Sequence, residues 1–143
     1  MTHLDRGNYA KKHPDANINP EAETLLKAET EHGKTTCAAV HRVAKQLKIT
    51  PADAGVQVDL LELRLVRCSL GLFGYGKGVK MTQPVDSIAQ DLEALLDQAS
   101  HDGRISCKDC WRIAKELKVS RINVSSACEF KGLRIKPCQL GAF

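Results

Sequence analysis

The chain has 143 residues, a net charge of +4 and an apolar content of 43%, which is enough for one compact domain or two very small ones. Only 4% of the residues are aromatic, so the core must be built mainly from aliphatic side chains. No apolar run approaches the ~20 residues that span a bilayer, and residues 1–20 lack the apolar segment of a secretory signal. The sequence therefore predicts a cytoplasmic protein with no membrane partner, in which cysteines are more typical of thiols or metal ligands than of disulfides.

The sequence contains an internal duplication. Residues 32–73 align without a gap onto residues 102–143, and thirteen of the 42 aligned pairs are identical. Two copies are too few for a solenoid, so a pseudo-two-fold pair of units is the natural arrangement. We predict a mobile N-terminal arm at 1–18, a first repeat at 19–73, a glycine-rich linker or wing at 74–84, and a second repeat at 85–143.

Each repeat begins with a predicted amphipathic helix. In the first repeat, Asn19 suits the N-cap, a proline follows it, and Gly33 is a C-terminal stop. In the second repeat, apolar residues recur at helical spacing from Val85 to Ala99, and Gly103 is the equivalent stop.

Two further helices and a strand are predicted to follow in each repeat. Thr36 and Thr50 stand at capping positions before the second and third helices, and serines occupy the equivalent places in the second repeat. Apolar and basic residues then alternate at 63–67 and 133–136, which is typical of a half-buried strand. The predicted fold is mainly α with short β, as two three-helix units each followed by a strand, and the two strands are expected to pair across the pseudo-two-fold.

This order of elements, together with a local motif, resembles the helix-turn-helix and winged-helix superfamily. The motif is Ala44-x-x-Leu47-x-Ile49 followed by a capped helix, and its copy runs from Ala114 to Val119. The resemblance covers residues 36–67 and 106–136 and implies a DNA-binding module. The turn position that often holds glycine in that superfamily is a lysine in both repeats.

The strongest candidate site is a basic stripe that is repeated in both copies. It consists of Arg42, Lys45 and Lys48 in the first repeat and of Arg112, Lys115 and Lys118 in the second. In a helix-turn-helix module, such residues lie along the phosphate backbone, whereas a solvated helix face is the alternative. Base-edge contacts are assigned to polar residues of the second repeat's third helix, because Asp53 and Asp59 of the first repeat would repel phosphate. The predicted nucleic-acid-binding residues are Arg42, Lys45, Lys48, Arg64, Arg112, Lys115, Lys118, Arg121, Asn123, Ser125 and Arg134.

The cysteines leave several interpretations open. Cys110 and Cys128 align with Val40 and Val58 of the first repeat, which favours small core residues. A cysteine set in the second repeat also matches the ligand count of a structural zinc or iron–sulfur site, and redox sensing is a third alternative. The candidate thiol and metal residues are Cys37, Cys68, Cys107, Cys110, Cys128 and Cys138.

No catalytic arrangement of serine, histidine and carboxylate or nucleotide fingerprint occurs in the sequence, and we expect no enzymatic activity. The leading hypothesis is a DNA-binding regulator of transcription that responds to thiol state or metal. A protein–protein assembly module built on the same fold is the second hypothesis, and a cysteine metal-binding accessory protein is the third. The oligomeric state is left open.

Overall fold

A computed structural model describes residues 7–143 of the chain. These residues form two compact units, of which the first contains the chain through Cys68 together with Gln139–Phe143, and the second contains Ser69–Cys138. Six α-helices and four short strands lie within the described range, so the predicted mainly helical class is confirmed. None of the helices in this range is long and apolar enough to cross a membrane.

The first unit contains three helices whose starts are set by the predicted caps. The side chain of Asn19 accepts hydrogen bonds from two backbone amides of the first turn, and Thr36 and Thr50 each accept one from the residue three positions later. The elements are α1 (Pro20–Ala28), β1 (Lys34–Thr36), α2 (Cys37–Leu47), α3 (Pro51–Leu60) and β2 (Arg64–Val66).

The second unit repeats this order. Ser106 and Ser120 cap its second and third helices through hydrogen bonds of 3.0 Å to Asp109 N and Asn123 N. Its elements are α4 (Gln90–Ala99), β3 (Arg104–Ile105), α5 (Cys107–Leu117), α6 (Arg121–Phe130) and β4 (Arg134–Ile135). α4 begins five residues later than the predicted start at Val85, so Val85 and Ile88 precede the helix.

The strands pair inside each unit. β1 and β2 form a parallel pair in which Lys34 lies opposite Arg64, and β3 and β4 form the equivalent pair in the second unit. The prediction that the strands after the third helices pair with each other was therefore wrong. Their true partners, β1 and β3, have only three and two residues, too short to give an alternating pattern in the sequence.

Two turns in each unit contain residues that the sequence analysis singled out, namely the glycine expected to end the first helix and the lysine between the second and third helices. Gly33 and Gly103 do not end helices, because α1 and α4 stop earlier and these glycines form the tight turns before β1 and β3 with φ of +73° and +74°. Lys48 and Lys118 end α2 and α5 in the left-handed conformation, with φ of 58° and 57°. The lysines thus adopt the backbone geometry for which glycine is usually selected at this turn.

The glycine-rich segment contains no strand, so the predicted wing at 74–84 does not form. Its backbone is instead closed by a hydrogen bond of 2.8 Å from Met81 N to the Gly71 carbonyl.

The predicted mobile arm is also corrected where the structure describes it. Tyr9–Lys12 form a short 3₁₀ helix in which Tyr9 is buried, while residues 1–6 lie outside the described range.

The predicted inward faces of the helices form the core of each unit. In the first unit, Leu26, Val40 and Val58 are fully buried, and their counterparts in the second unit, Leu96, Cys110 and Cys128, are fully buried as well. Because the inward side of each helix is used in this way, the basic residues of α2 and α5 are placed on the outer surface.

Candidate nucleic-acid interface

A cluster of cations lies on the outer surface of α5. Lys108, Trp111 and Lys115 share one side of this helix, since they are spaced by three and four residues. Lys118 follows at the end of the helix, and the guanidinium of Arg121, the first residue of α6, lies over the Trp111 ring. We call these five residues the α5 cationic face.

The contact between Arg121 and Trp111 fixes the orientation of the arginine. The guanidinium carbon is 3.5 Å from the ring centroid, which is the geometry of a stacked cation–π pair. A guanidinium stacked on an aromatic ring uses its flat side in the contact and keeps its N–H edge for hydrogen bonds. An arginine held in this way can donate two parallel hydrogen bonds to a phosphate or to a guanine edge with little loss of side-chain freedom.

The lysines of the α5 cationic face are not neutralised by carboxylates. Lys108, Lys115 and Lys118 are exposed, and no ion pair involves them among residues 7–143. Arg112, four residues after Lys108 and three before Lys115 on the same side of α5, contrasts with them because its guanidinium lies 3.4 Å from Asp109 and 3.3 Å from Glu116. The predicted contribution of Arg112 to anion binding is weakened by these two carboxylates.

The first unit does not reproduce this surface. Arg42 pairs with Glu29 at 2.6 Å, and Lys45 and Lys48 are exposed. At the positions equivalent to Lys108, Trp111 and Arg121, the first repeat has Ala38, His41 and Pro51. The first unit therefore keeps two exposed lysines of the stripe but lacks the stacked arginine and the extra lysine.

Ser125, predicted to contact base edges, is fully buried, which corrects its assignment. Its hydroxyl donates a hydrogen bond of 2.6 Å to the Leu70 carbonyl, so it has no surface to offer a ligand. Asn123 is exposed in the first turn of α6, as the sequence predicted. Arg64 is half-buried on β2, and Arg134 is exposed on β4.

The polar residues of α3 hold the N-terminal segment of the first unit. The Glu62 carboxylate, just after α3, accepts hydrogen bonds of 2.9 Å from the backbone amides of Tyr9 and Ala10. Asp59 Oδ2 lies 2.7 Å from His13 Nε2 and 3.3 Å from the Lys12 ammonium. Both carboxylates thus serve intramolecular contacts, including Asp59, which the sequence analysis expected to repel phosphate.

Cysteines of α5 and α6 are in contact in the core of the second unit. Cys110 on α5 and Cys128 on α6 are fully buried and hydrogen-bonded to each other. This hydrogen bond and burial raise the pKa of Cys110, so its thiol stays protonated. Cys37, Cys68 and Cys107 are buried and Cys138 is half-buried. No group of three or more histidine, cysteine or acidic side chains in residues 7–143 is arranged to hold a metal ion.

Sequence reasoning missed Lys108 and Trp111. Both could have been found by comparing the repeats, since a lysine and a tryptophan replace Ala38 and His41 at a spacing that places them beside Lys115. The contact with Arg121 could not, because it joins two helices across a turn.

Comparison with known proteins adds no further assignment, because no protein-family model, curated protein or solved structure matches the chain.

Proposed function

We propose that the chain binds duplex DNA through the α5 cationic face of its second unit. The observation that carries the proposal is the grouping of Lys108, Lys115, Lys118 and Arg121 on one surface, without a carboxylate partner in the described part of the chain. Lysine and arginine on such a surface neutralise phosphates and release condensed counterions. Affinity from this source is strongly salt dependent and largely independent of base sequence.

The arrangement of α5 and α6 supports a more specific form of the proposal, in which the second unit is a helix-turn-helix-like module. Three residues separate α5 from α6, and the second helix starts at a serine cap. In such a module the first turn of the second helix lies in the major groove. Arg121 and Asn123 occupy that turn and are the residues we assign to base edges.

The first unit favours a second function, that of a protein-interaction module. Glu62 and Asp59 already bind backbone and side-chain groups of the segment 9–13, so the outer side of α3 recognises polypeptide. A chain that binds DNA with one unit and protein with the other fits both sets of contacts.

The proposal is tested by fluorescence anisotropy with a labelled random-sequence duplex at 50 and 200 mM salt. Four neutralised phosphates give a slope of about −3.6 in log K against log salt, which is roughly a 150-fold loss of affinity over this range. An absence of binding at 50 mM salt, or binding that does not change with salt, would contradict the proposal. Capture of a protein partner that persists at high salt and after nuclease treatment would instead favour the second function.

Cys110 and Cys128 are fully buried between α5 and α6, and the Cys110 thiol stays protonated, so we assign them a packing role and no thiol response. We assign no metal ion to the site.

A further inference from the structure

The last residues of each repeat belong to the unit formed by the other repeat. Ser69 onwards, which ends the first repeat, lies in the second unit, and Gln139–Phe143, which ends the second repeat, lies in the first unit. The two segments share the pattern Leu-Gly-x-Phe, at Leu70 and at Leu140. Both leucines are buried, with 0% and 2% of their surface exposed, so each completes the core of its unit. We call these segments the tails.

In the first unit, the tail lies directly against Gly55 of α3. A Cβ atom built on Gly55 would overlap the Leu140 carbonyl oxygen and would lie 2.8 Å from the carbonyl carbon. Both atoms belong to the backbone, so they cannot rotate away as the end of a side chain can. The absence of a side chain at Gly55 is therefore what makes room for the tail.

In the second unit, the equivalent tail carbonyl is recognised by a hydrogen bond. Ser125 aligns with Gly55, and its buried hydroxyl donates a hydrogen bond of 2.6 Å to the Leu70 carbonyl. The backbone carbonyl of the tail leucine thus lies against the same helical position in both units. In the first unit the missing side chain of Gly55 makes room for it, and in the second unit it accepts a hydrogen bond from Ser125. Two different solutions at one position indicate a docking seat for the tail in each unit.

We propose that the seat at Gly55 is a binding site for a Leu-Gly-x-Phe segment in trans, and that its partner is the tail of a second copy of this chain. Each seat holds a segment from the opposite repeat, so the tail is recognised through contacts in space and not through continuity within one repeat. In the intact chain the resident tail competes at an effective concentration of about millimolar, as tethered segments do. A second copy's tail therefore enters when the resident tail is removed or displaced. This proposal is independent of the DNA-binding function.

The first experiment uses the chain truncated after Cys138 and a fluorescein-labelled peptide with the sequence of residues 137–143, under reducing conditions. The expected result is saturable binding to the truncated chain and at least tenfold weaker binding to the intact chain, whose seat is filled. A peptide carrying Leu140→Ala should also bind at least tenfold more weakly, because the buried side chain is lost. Equal binding of both peptides, or equal binding to both chains, would overturn the proposal.

If the truncated chain loses helical structure, circular dichroism becomes the measurement. The proposal then requires that the peptide restores the helical signal in a saturable way and that the Leu140→Ala peptide does not. Failure of the wild-type peptide to restore helix, with no binding, would overturn the proposal equally.

The identity of the partner is tested by mixing two variants of the chain. The Gly55→Leu variant has a blocked seat and a free tail, and the truncated chain has an empty seat and no tail. Light scattering after size-exclusion chromatography should show a 1:1 complex in the mixture and none with either variant alone. Adding Leu140→Ala to the Gly55→Leu variant should abolish the complex. Peptide binding without the complex would overturn a second copy as the partner.

Discussion

Replacing Gly55 with alanine is expected to destabilise the first unit, although the same change within an ordinary helix is stabilising. Alanine in a helix interior is favoured over glycine by about 1 kcal/mol. At Gly55, however, the new methyl group would overlap the backbone of Leu140, so the tail must leave its seat. Releasing Leu140 and Ala142, which are 2% and 9% exposed, forfeits about 2–4 kcal/mol of apolar burial.

The net change expected for Gly55→Ala is therefore a loss of about 1–3 kcal/mol, which is the burial lost less the helix propensity gained. Urea unfolding followed by circular dichroism measures the size of the loss, and hydrogen exchange with mass spectrometry assigns it to the first unit. The matched control is Ser125→Ala, which keeps the Cβ atom but leaves the Leu70 carbonyl without its donor and should cost about 1–3 kcal/mol in the second unit. A Gly55→Ala chain more stable than the wild type would refute the reasoning.

Three further predictions concern local contacts. Lys48→Gly should stabilise the chain by about 1 kcal/mol, because Lys48 has a φ of 58°, which glycine adopts without strain. Lys48→Ala should give no such gain in the free energy of unfolding measured with urea. Equal effects of the two substitutions would contradict a backbone origin. Glu62→Gln should speed amide hydrogen exchange at Tyr9 and Ala10 about tenfold, because it replaces the charged acceptor of two hydrogen bonds with a neutral one. An unchanged exchange rate would mean that these hydrogen bonds do not hold the N-terminal segment in place. Asp97 and Glu93 raise the pKa of Lys131, so its stabilising effect should be complete below the ordinary lysine pKa and lost as the pH rises through the raised value. The stability difference between wild type and Lys131→Met should accordingly vanish at high pH, and its persistence there would exclude an ionic origin.

The helix starts could be predicted from the sequence because their causes are local. A capping side chain and the amide that it satisfies lie within three residues, as at Thr36 and Thr50, so the pattern in the sequence contains both partners. The parallel strand pairs could not be predicted in this way, because Lys34 and Arg64 are joined only through α2 and α3. Very short strands carry too few residues for an alternating pattern to stand out.

The candidate site was predicted in part for the same reason. The basic stripe follows helical spacing, so Lys115 and Lys118 were placed on the surface from the sequence alone. Ser125 was misassigned because a serine was interpreted as exposed, while its hydroxyl is satisfied by a carbonyl 55 residues away in the chain. The stacking of Arg121 on Trp111 depends on the angle of the turn between α5 and α6, which the sequence does not specify.

The central claim, that DNA binds to the second unit, is tested most directly by matched charge reversals in the two repeats. Lys115→Glu with Lys118→Glu should weaken duplex binding strongly and reduce the salt slope by about two, since each lost phosphate contact reduces it by about one. Lys45→Glu with Lys48→Glu changes the equivalent pair in the first repeat and should leave affinity close to that of the wild type, with unchanged circular dichroism in both variants. Equal losses of affinity in the two variants, or no loss in either, would contradict the account.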